Sequence, residues 1–494
     1  VKNTLPATIE MKLLFILLAA VNSYKFNRLA LLPEGLCSPD VGLLTADTDH
    51  NGLDELIFDY PGPGYTWVIY EYRPINQYER VYEYHTGNDT NFSFQTDVAD
   101  GDGDGLFEIL GELYTPKAEI KSRGAIFESP NFNSFPTSLV WVYPEEKVGL
   151  KFMDLDNDAK TDIFSVWTDW SHLPPTSWMA FYENRGDNSY IPVWECSSST
   201  GVYHACAYVF GDFDKDGVQE FAEVNPDTSY IWKCTGDDDY KIVWSHYHYK
   251  INVYDAWLGN DTDGDGKPEI FMKNYWYGPN PEAVLTMYEA TGVNTYKLVE
   301  IDTVDAGDPL EGASCCGDVD GDGVEEVILS LGTYVVIYKA TGDDKYEKVW
   351  VWDNDMGHAP EWGYQAKVAC HDFNKNGYNE LIISGNGQTS IFEIDKASIP
   401  ENIKSKHPVV AHLSVVPTII KNSALIKYSI PRDCRVELTA YDAAGRAVKK
   451  LVDKELKAGT YAVTWTAKEL PTGVYFIRLK TATSGMTEKV IITK

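Results

Sequence analysis

Seven near-evenly spaced copies of one acidic decapeptide constrain this chain more than any other feature. They read DTDHNGLDEL from Asp47, DGDGDGLFEI from Asp100, DLDNDAKTDI from Asp154, DFDKDGVQEF from Asp212, DTDGDGKPEI from Asp261, DVDGDGVEEV from Asp318 and DFNKNGYNEL from Asp372. The intervals are 53, 54, 58, 49, 57 and 54 residues. So steady a period means repeated supersecondary units, which stack because none buries its apolar face alone. A second marker keeps the same period: IYE at Ile69, IFE at Ile126, FYE at Phe181, IWK at Ile231, MYE at Met287, IYK at Ile337 and IFE at Ile391. Turn signals such as TGDDDY and ATGDDKY lie between this marker and strands of the Val-Trp type at Val193, Val243 and Val349. Each unit reads strand, acidic loop, strand, loop, strand, hairpin, strand. Four strands in about 50 residues make one propeller blade.

The loop chemistry explains why so much negative charge is tolerated. Side-chain oxygens at positions one, three and five of a tight loop converge on one point. Glycine at six permits the sharp turn, residue seven offers its carbonyl, and an acid at nine closes the cage. The resulting ligand sets are Asp47, Asp49, Asn51 and Glu55; Asp100, Asp102, Asp104 and Glu108; Asp154, Asp156, Asp158 and Asp162; and Asp212, Asp214, Asp216 and Glu220. The remaining three are Asp261, Asp263, Asp265 and Glu269; Asp318, Asp320, Asp322 and Glu326; and Asp372, Asn374, Asn376 and Glu380. Hard oxygen donors in this number suit Ca²⁺, whereas Mg²⁺ demands a stricter octahedron and keeps its water. One such match alone would read as a solvated acidic turn; seven in register favour the cation. Up to seven sites are expected, with blades one, three and seven weakest. Blade one has Asn51 at position five, and blade seven keeps only Asp372 and Glu380 charged. Blade three has Ala159 at the turn, where a positive φ costs roughly 1 kcal/mol.

The seventh unit has no fourth strand of its own, because SIFEI is followed by DKASIPENIKSKHP. The segment SYKFNRLALL, Ser23 to Leu32, resembles the missing piece and is expected to close the ring and cover the open sheet edge. Formal charge is −32, from 74 acidic and 42 basic residues, which argues against nucleic acid and against anionic membrane surfaces. A hydrophobic share of 44% and an aromatic share of 13% supply a core large enough to exclude disorder.

The DxDxDG repeats resemble the FG-GAP/VCBS seven-bladed propellers, to which integrin α-chain heads belong. That resemblance implies a calcium-binding β-propeller, a fold that carries adhesion, lectin and lyase activities alike. After the linker 396–408, residues 409–494 alternate strands with glycine turns, as an Ig-like sandwich does. Their pattern YDAAGRAVKKL, AGTYAVTW and LPTGVYFIRL resembles the C-terminal sorting domain of type IX secretion cargo and the related hook-cap-type Ig-like domain. This second resemblance implies type IX secretion machinery as a partner. It also implies a secreted or outer-membrane surface location in a Gram-negative-type bacterium.

The fold class expected is therefore all-β: a seven-bladed propeller over 24–395 and an Ig-like C-terminal sandwich. Residues 1–23 read as a signal peptide, with Met11 as an alternative start and the apolar run LLFILLAAV too short to span a bilayer. No stable membrane span and a monomer are expected. Eight cysteines permit disulfides without assigning them, although Cys196 and Cys206 are close enough in sequence to pair. No HExxH, GxSxG, Walker or dinucleotide motif occurs, so no catalytic residues are assigned. The function expected is an exported binding or adhesion module for a glycan or protein ligand. The alternative is a calcium-dependent polysaccharide lyase on the same scaffold. Topology puts long aromatic loops on the face away from the acidic loops, and Trp170, Trp276 and Trp362 are the ligand-binding candidates.

Overall fold

The computed structural model describes residues 23–35, 43–60, 66–85, 92–115, 121–144, 147–169, 176–197, 207–226, 228–248, 252–276, 282–304, 312–331, 334–353, 366–385, 387–399, 412–416, 419–420, 423–430, 434–443, 446–457, 459–468, 470–481 and 485–493. The chain divides into two compact units, the first made of Val1–Gly321 and Glu325–Pro400 and the second of Glu401–Lys494 with the short piece Asp322–Val324.

Among the described residues the first unit contains seven four-stranded antiparallel sheets. Six are built from consecutive strands, as in blade four: Ala207–Gly211, Glu220–Val224, Thr228–Gly236 and Asp239–Tyr247. The seventh is composite. Its strands Lys367–His371, Glu380–Gly385 and Gln388–Ile394 are completed by Phe26–Leu32, with Phe26 opposite Ile394 and Leu32 opposite Thr389. The expected closing strand is thus in place at the N-terminal end of the described chain.

Alternation along the strands builds the contacts between blades. Trp67 of blade one packs with Ile109 and Phe127 of blade two. Leu110 and Ile126 meet Ile163 and Tyr182 of blade three, and Phe164 and Phe181 meet Phe221 and Trp232 of blade four. Ala222 and Ile231 join Ile270 and Tyr288 of blade five, and Phe271 joins Val327 and Tyr338 of blade six. Blade six reaches the composite sheet through Trp352 and Phe392, ring centroids 5.4 Å apart. Leu32, Ile382 and Ile391 of blade seven then cluster with Leu56 and Phe58 of blade one. The circuit closes. Fully buried rings such as Trp67, Phe164 and Phe221 supply large apolar area, in tilted and edge-on contacts that aromatic quadrupoles favour.

The second unit is a pair of sheets around one core. His412–Val416, Ser423–Ile430 and Gly459–Thr466 form three strands. Ile419–Ile420, Gly485–Ile492, Gly473–Lys480, Cys434–Asp442 and Ala447–Leu456 form five, in that spatial order. Trp465, Ile426, Leu438, Ile477 and Val490 fill the space between the two sheets, each essentially inaccessible to solvent.

Candidate metal centre

Each acidic loop joins the first and second strands of its blade, and backbone N–H groups shape it. The carboxylate at position one accepts from the N–H at position six: Gly52 to Asp47 at 2.9 Å, Gly105 to Asp100 at 3.1 Å, Ala159 to Asp154 at 3.0 Å, Gly217 to Asp212 at 3.0 Å and Gly377 to Asp372 at 2.8 Å. The oxygen at position five accepts from the N–H at seven, as Leu106 donates to Asp104 at 2.7 Å and Val324 to Asp322 at 3.0 Å. These are Asx-type turns, and they draw the acids inward. Position six has positive φ, +92° at Gly105 and +69° at Ala159, so blade three forms the same turn without glycine.

Position nine is the first residue of the second strand and points into the sheet. Glu55, Glu108, Glu220, Glu269, Glu326 and Glu380 are wholly buried, and Asp162 nearly so. One oxygen of each accepts from the backbone at position two: Thr48 donates to Glu55 at 2.6 Å, Phe213 to Glu220 at 2.9 Å, Thr262 to Glu269 at 2.9 Å, Val319 to Glu326 at 3.0 Å and Phe373 to Glu380 at 2.9 Å. Gly101 does the same for Glu108. The second oxygen looks into the cage. Acid oxygens of Asp47, Asp49 and Glu55, and of Asp261, Asp263, Asp265 and Glu269, lie within 4.8 Å of one another in their respective loops. Burial, with the neighbouring carboxylates, pushes Glu108 up to about 9 and Glu55, Glu269 and Glu380 up to about 8. Asp162 likewise rises to about 8. A cation in the cage would reverse that shift.

A further charged residue completes every cage, and sequence reasoning missed it. The last letter of the IYE-type marker lies cross-strand from the closing acid. Glu55 pairs with Glu71, Glu108 with Glu128, Asp162 with Glu183, Glu220 with Lys233 and Glu269 with Glu289. Lys339 is one step along from the Val327–Tyr338 pair and meets Glu326. The signal was available in the constant period of that marker, though not its chemistry.

What the cage oxygen meets differs between blades. Glu55 Oε1, Glu108 Oε1, Asp162 Oδ2 and Glu269 Oε1 are buried and have no hydrogen-bond partner. In blade four Lys233 Nζ donates to Glu220 Oε1, to Asp216 Oδ2 at 2.8 Å and to Asp214 Oδ2 at 3.4 Å. In blade six Lys339 Nζ donates to Glu326 Oε1 and Asp320 Oδ2, both at 2.7 Å. In blade seven the Asn374 amide donates to Glu380 Oε1, and the Asn376 amide to Glu393. Lys160 and Lys267, at position seven of blades three and five, approach from the solvent side. Lys267 donates to Asp265 at 2.6 Å and Glu289 at 2.8 Å, and Lys160 bonds the equivalent Asp158 and Glu183. Neither lysine takes the inner oxygen of its closing acid.

The loops also join neighbouring blades. A hairpin residue of the next blade donates its backbone N–H to the acid at position three: Asn188 to Asp102 at 2.8 Å, Asp238 to Asp156 at 3.2 Å, Asn294 to Asp214 at 2.7 Å and Asp344 to Asp263 at 2.8 Å. All four donors have positive φ, between 50° and 58°. The next sheet after blade six has no such hairpin, and there the hydroxyl of Tyr24 donates to Asp320 at 2.5 Å.

The aromatic candidates fare differently. Trp170 and Trp362 lie outside the described residues. Trp276 ends the strand Glu269–Trp276 opposite Glu282, and its side chain is not among those described. Cys206 and the expected signal peptide, apart from Ser23, are likewise outside. In the stretch His246-Tyr247-His248, His248 is a packing residue: it is buried, 2.8 Å from Ser229 Oγ, with its ring tilted 32° to that of Tyr288.

Comparison with known families bears on both units. Residues 154–222 match the FG-GAP-like repeat, spanning the acidic loops of blades three and four. Residues 417–493 match the secretion-system C-terminal sorting domain. That tail marks the chain for export by type IX secretion, to the cell surface or the medium. No helix among the described residues is long and apolar enough to cross a membrane. No curated protein matches the sequence. Solved structures that are similar include a fungal alcohol oxidase of the AA5 family in complex with copper, at 10% identity and TM-score 0.44, covering 96% of this chain and 100% of that one. Another is the Pseudomonas aeruginosa periplasmic gluconolactonase PpgL, at 10% identity and TM-score 0.38, covering 61% and 82%. A third is PorZ, a surface component of the type IX secretion system of Porphyromonas gingivalis, at 12% identity and TM-score 0.37, covering 92% and 60%. No functional argument rests on these three.

Proposed function

We propose that this protein is an exported, calcium-stabilised β-propeller that binds a glycan or protein ligand on the face away from its acidic loops. The observation that carries the calcium part is the unpartnered inner oxygen on four buried closing acids, each set among further carboxylates. Such oxygens are costly to leave bare, and a hard divalent cation satisfies several at once. Asp100, Asp102, Asp104 and Glu108, with Glu128 beside them, match blades three and five in number of acids but lack the lysine that Lys160 and Lys267 bring to those two.

The binding part is supported by strand direction. Acidic loops and the hairpins that cap them share one end of the strands. The connections between second and third strands, and between blades, leave from the other end. Those connections include the aromatic stretches around Trp170 and Trp362, with Trp276 at the mouth of a third. A propeller whose acidic loops serve metal and blade coupling at one end can use the connections at its other end for recognition, and the sorting tail delivers it where ligands are extracellular.

The test is a glycan array, with a parallel cell-surface protein screen, run with Ca²⁺ and with chelator. Retention that Trp276→Ala weakens by about 1 kcal/mol or more, with an unchanged melting temperature, supports the reading. Absorbance from newly formed unsaturated sugar would instead establish a lyase. A variant that melts early yet binds normally would make Trp276 a packing residue and refute its assignment.

A further inference from the structure

We infer that the seven loops are of two kinds: blades one, two, three and five take a divalent cation, whereas blades four and six carry Lys233 and Lys339 as built-in cations and blade seven is closed by side-chain amides. The inference rests on the calcium reading above and sharpens it, since it says which loops need metal.

Convergence of carboxylates does not by itself make a metal site. In blade four, oxygens of Asp212, Asp214, Asp216 and Glu220 lie within 4.8 Å of one another, as they do in blade five. The difference is the occupant. Lys233 Nζ is bonded to three of those four acids. The lysine is 7% exposed, so its ammonium has little water to retreat into. Lys339 is 2% exposed and is bonded to Asp320 and Glu326 in the same manner. A calcium ion entering either loop would have to expel a buried ammonium or sit against it, and like charges at such range repel strongly.

Blades three and five show the contrast. Lys160 and Lys267 are 40% and 35% exposed, reach in from solvent, and leave Asp162 Oδ2 and Glu269 Oε1 without a partner. Both can swing out. In blade seven the amides of Asn374 and Asn376 already satisfy Glu380 and Glu393, so asparagine there acts as a donor to the cage rather than as a weak metal ligand. The unpartnered oxygens thus occur in blades one, two, three and five, where the third-strand residue is glutamate and no amide reaches the closing acid. This ordering departs from the loop sequence alone, which ranks blades four and six among the best sites and blade one, for Asn51, and blade three, for Ala159, among the weakest.

The experiment exchanges the third-strand residue in the full chain and counts ions. Calcium bound at saturation is measured by equilibrium dialysis with elemental analysis, in buffer whose monovalent salt suppresses loose binding to the acidic surface. The parent should hold four. Lys233→Glu gives blade four the third-strand residue of blade two and should raise the count to five. Glu128→Lys gives blade two the residue of blade four and should lower it to three. The Glu128→Lys melting temperature in chelator should be no lower than the parent's. A parent count above or below four, or variants that remain folded by circular dichroism yet leave the count unchanged, overturns the division. A parent that binds no calcium overturns the calcium reading itself. Should Lys233→Glu fail to fold, the Glu128→Lys count alone decides.

Discussion

Replacing the closing acid by its neutral isostere should have opposite effects in the two kinds of blade. Glu108 is wholly buried and its carboxyl is raised from 4.5 to about 9, first by burial and then by Asp102, Asp100 and Glu128. In chelator at pH 7.5 the folded chain holds this proton and the unfolded chain does not. The mismatch of three pH units is worth at most about 4 kcal/mol against the fold. Glu108→Gln removes the mismatch and keeps an acceptor for the Gly101 N–H. It should therefore stabilise the metal-free propeller. An unfolding entropy of about 2.1 cal/mol/K per residue over roughly 370 residues makes the ceiling a rise of about 5 °C. The same variant forfeits one ion, and with it about 2.7 kcal/mol of calcium stabilisation at one hundred times the dissociation constant. Glu220→Gln does the reverse. It leaves Lys233 buried with one carboxylate fewer, a loss of up to about 3–5 kcal/mol in chelator, and its calcium increment should equal the parent's. Differential scanning calorimetry of both variants, with Ca²⁺ and with chelator, reads all four quantities. Shifts of the same sign in chelator, or an equal loss of calcium increment, would refute the reasoning.

Two further outcomes follow from the same geometry. The closing acids Glu55, Glu108, Asp162 and Glu269 have folded values raised to about 8–9, so the stability they contribute is present below pH 4 and is lost as pH rises through those values. In chelator the melting temperature should fall between pH 5 and pH 9, and Ca²⁺, unlike matched monovalent salt, should flatten the fall; parallel profiles would count against metal in those cages. Tyr24→Phe removes the hydroxyl that donates to buried Asp320 and should cost about 1–3 kcal/mol in urea unfolding, whereas an unchanged midpoint would mean the contact contributes nothing to closure.

The repeat was legible because backbone chemistry dictates it. Asp100 must cap the N–H of Gly105, Asp104 that of Leu106, and Glu108 that of Gly101, so the residue types recur wherever the turn does. The closing strand was legible because the seventh unit ends one strand short. The cage partners were not. Glu108 and Glu128 stand twenty residues apart and Glu220 and Lys233 thirteen, and only the sheet register brings either pair together. A reading confined to the decapeptide counts ligands and overlooks the residue that competes with the metal. The inter-blade donors were hidden for a related reason. Asn188 and Asp344 look like ordinary hairpin residues, and their N–H groups acquire a role only when the next blade is seated beside the loop.

The strand Phe26–Leu32 leaves the ribosome long before the strand it pairs with. Phe26 must wait for Ile394, a separation of roughly 370 residues. The thermodynamic penalty for so long a loop is slight, about 2 kcal/mol more than closing a single repeat, because it grows only with the logarithm of length. The kinetic consequence is larger. Non-local pairing of this kind slows folding, and until it occurs Gln388–Ile394 offers an unpaired edge to any neighbouring chain. Up to that moment six blades can form in order along the chain while the disc stays an open arc. A cell that keeps these first few strand residues occupied, whether by a chaperone or by an export channel, would hold the whole propeller unlatched until it reached its destination.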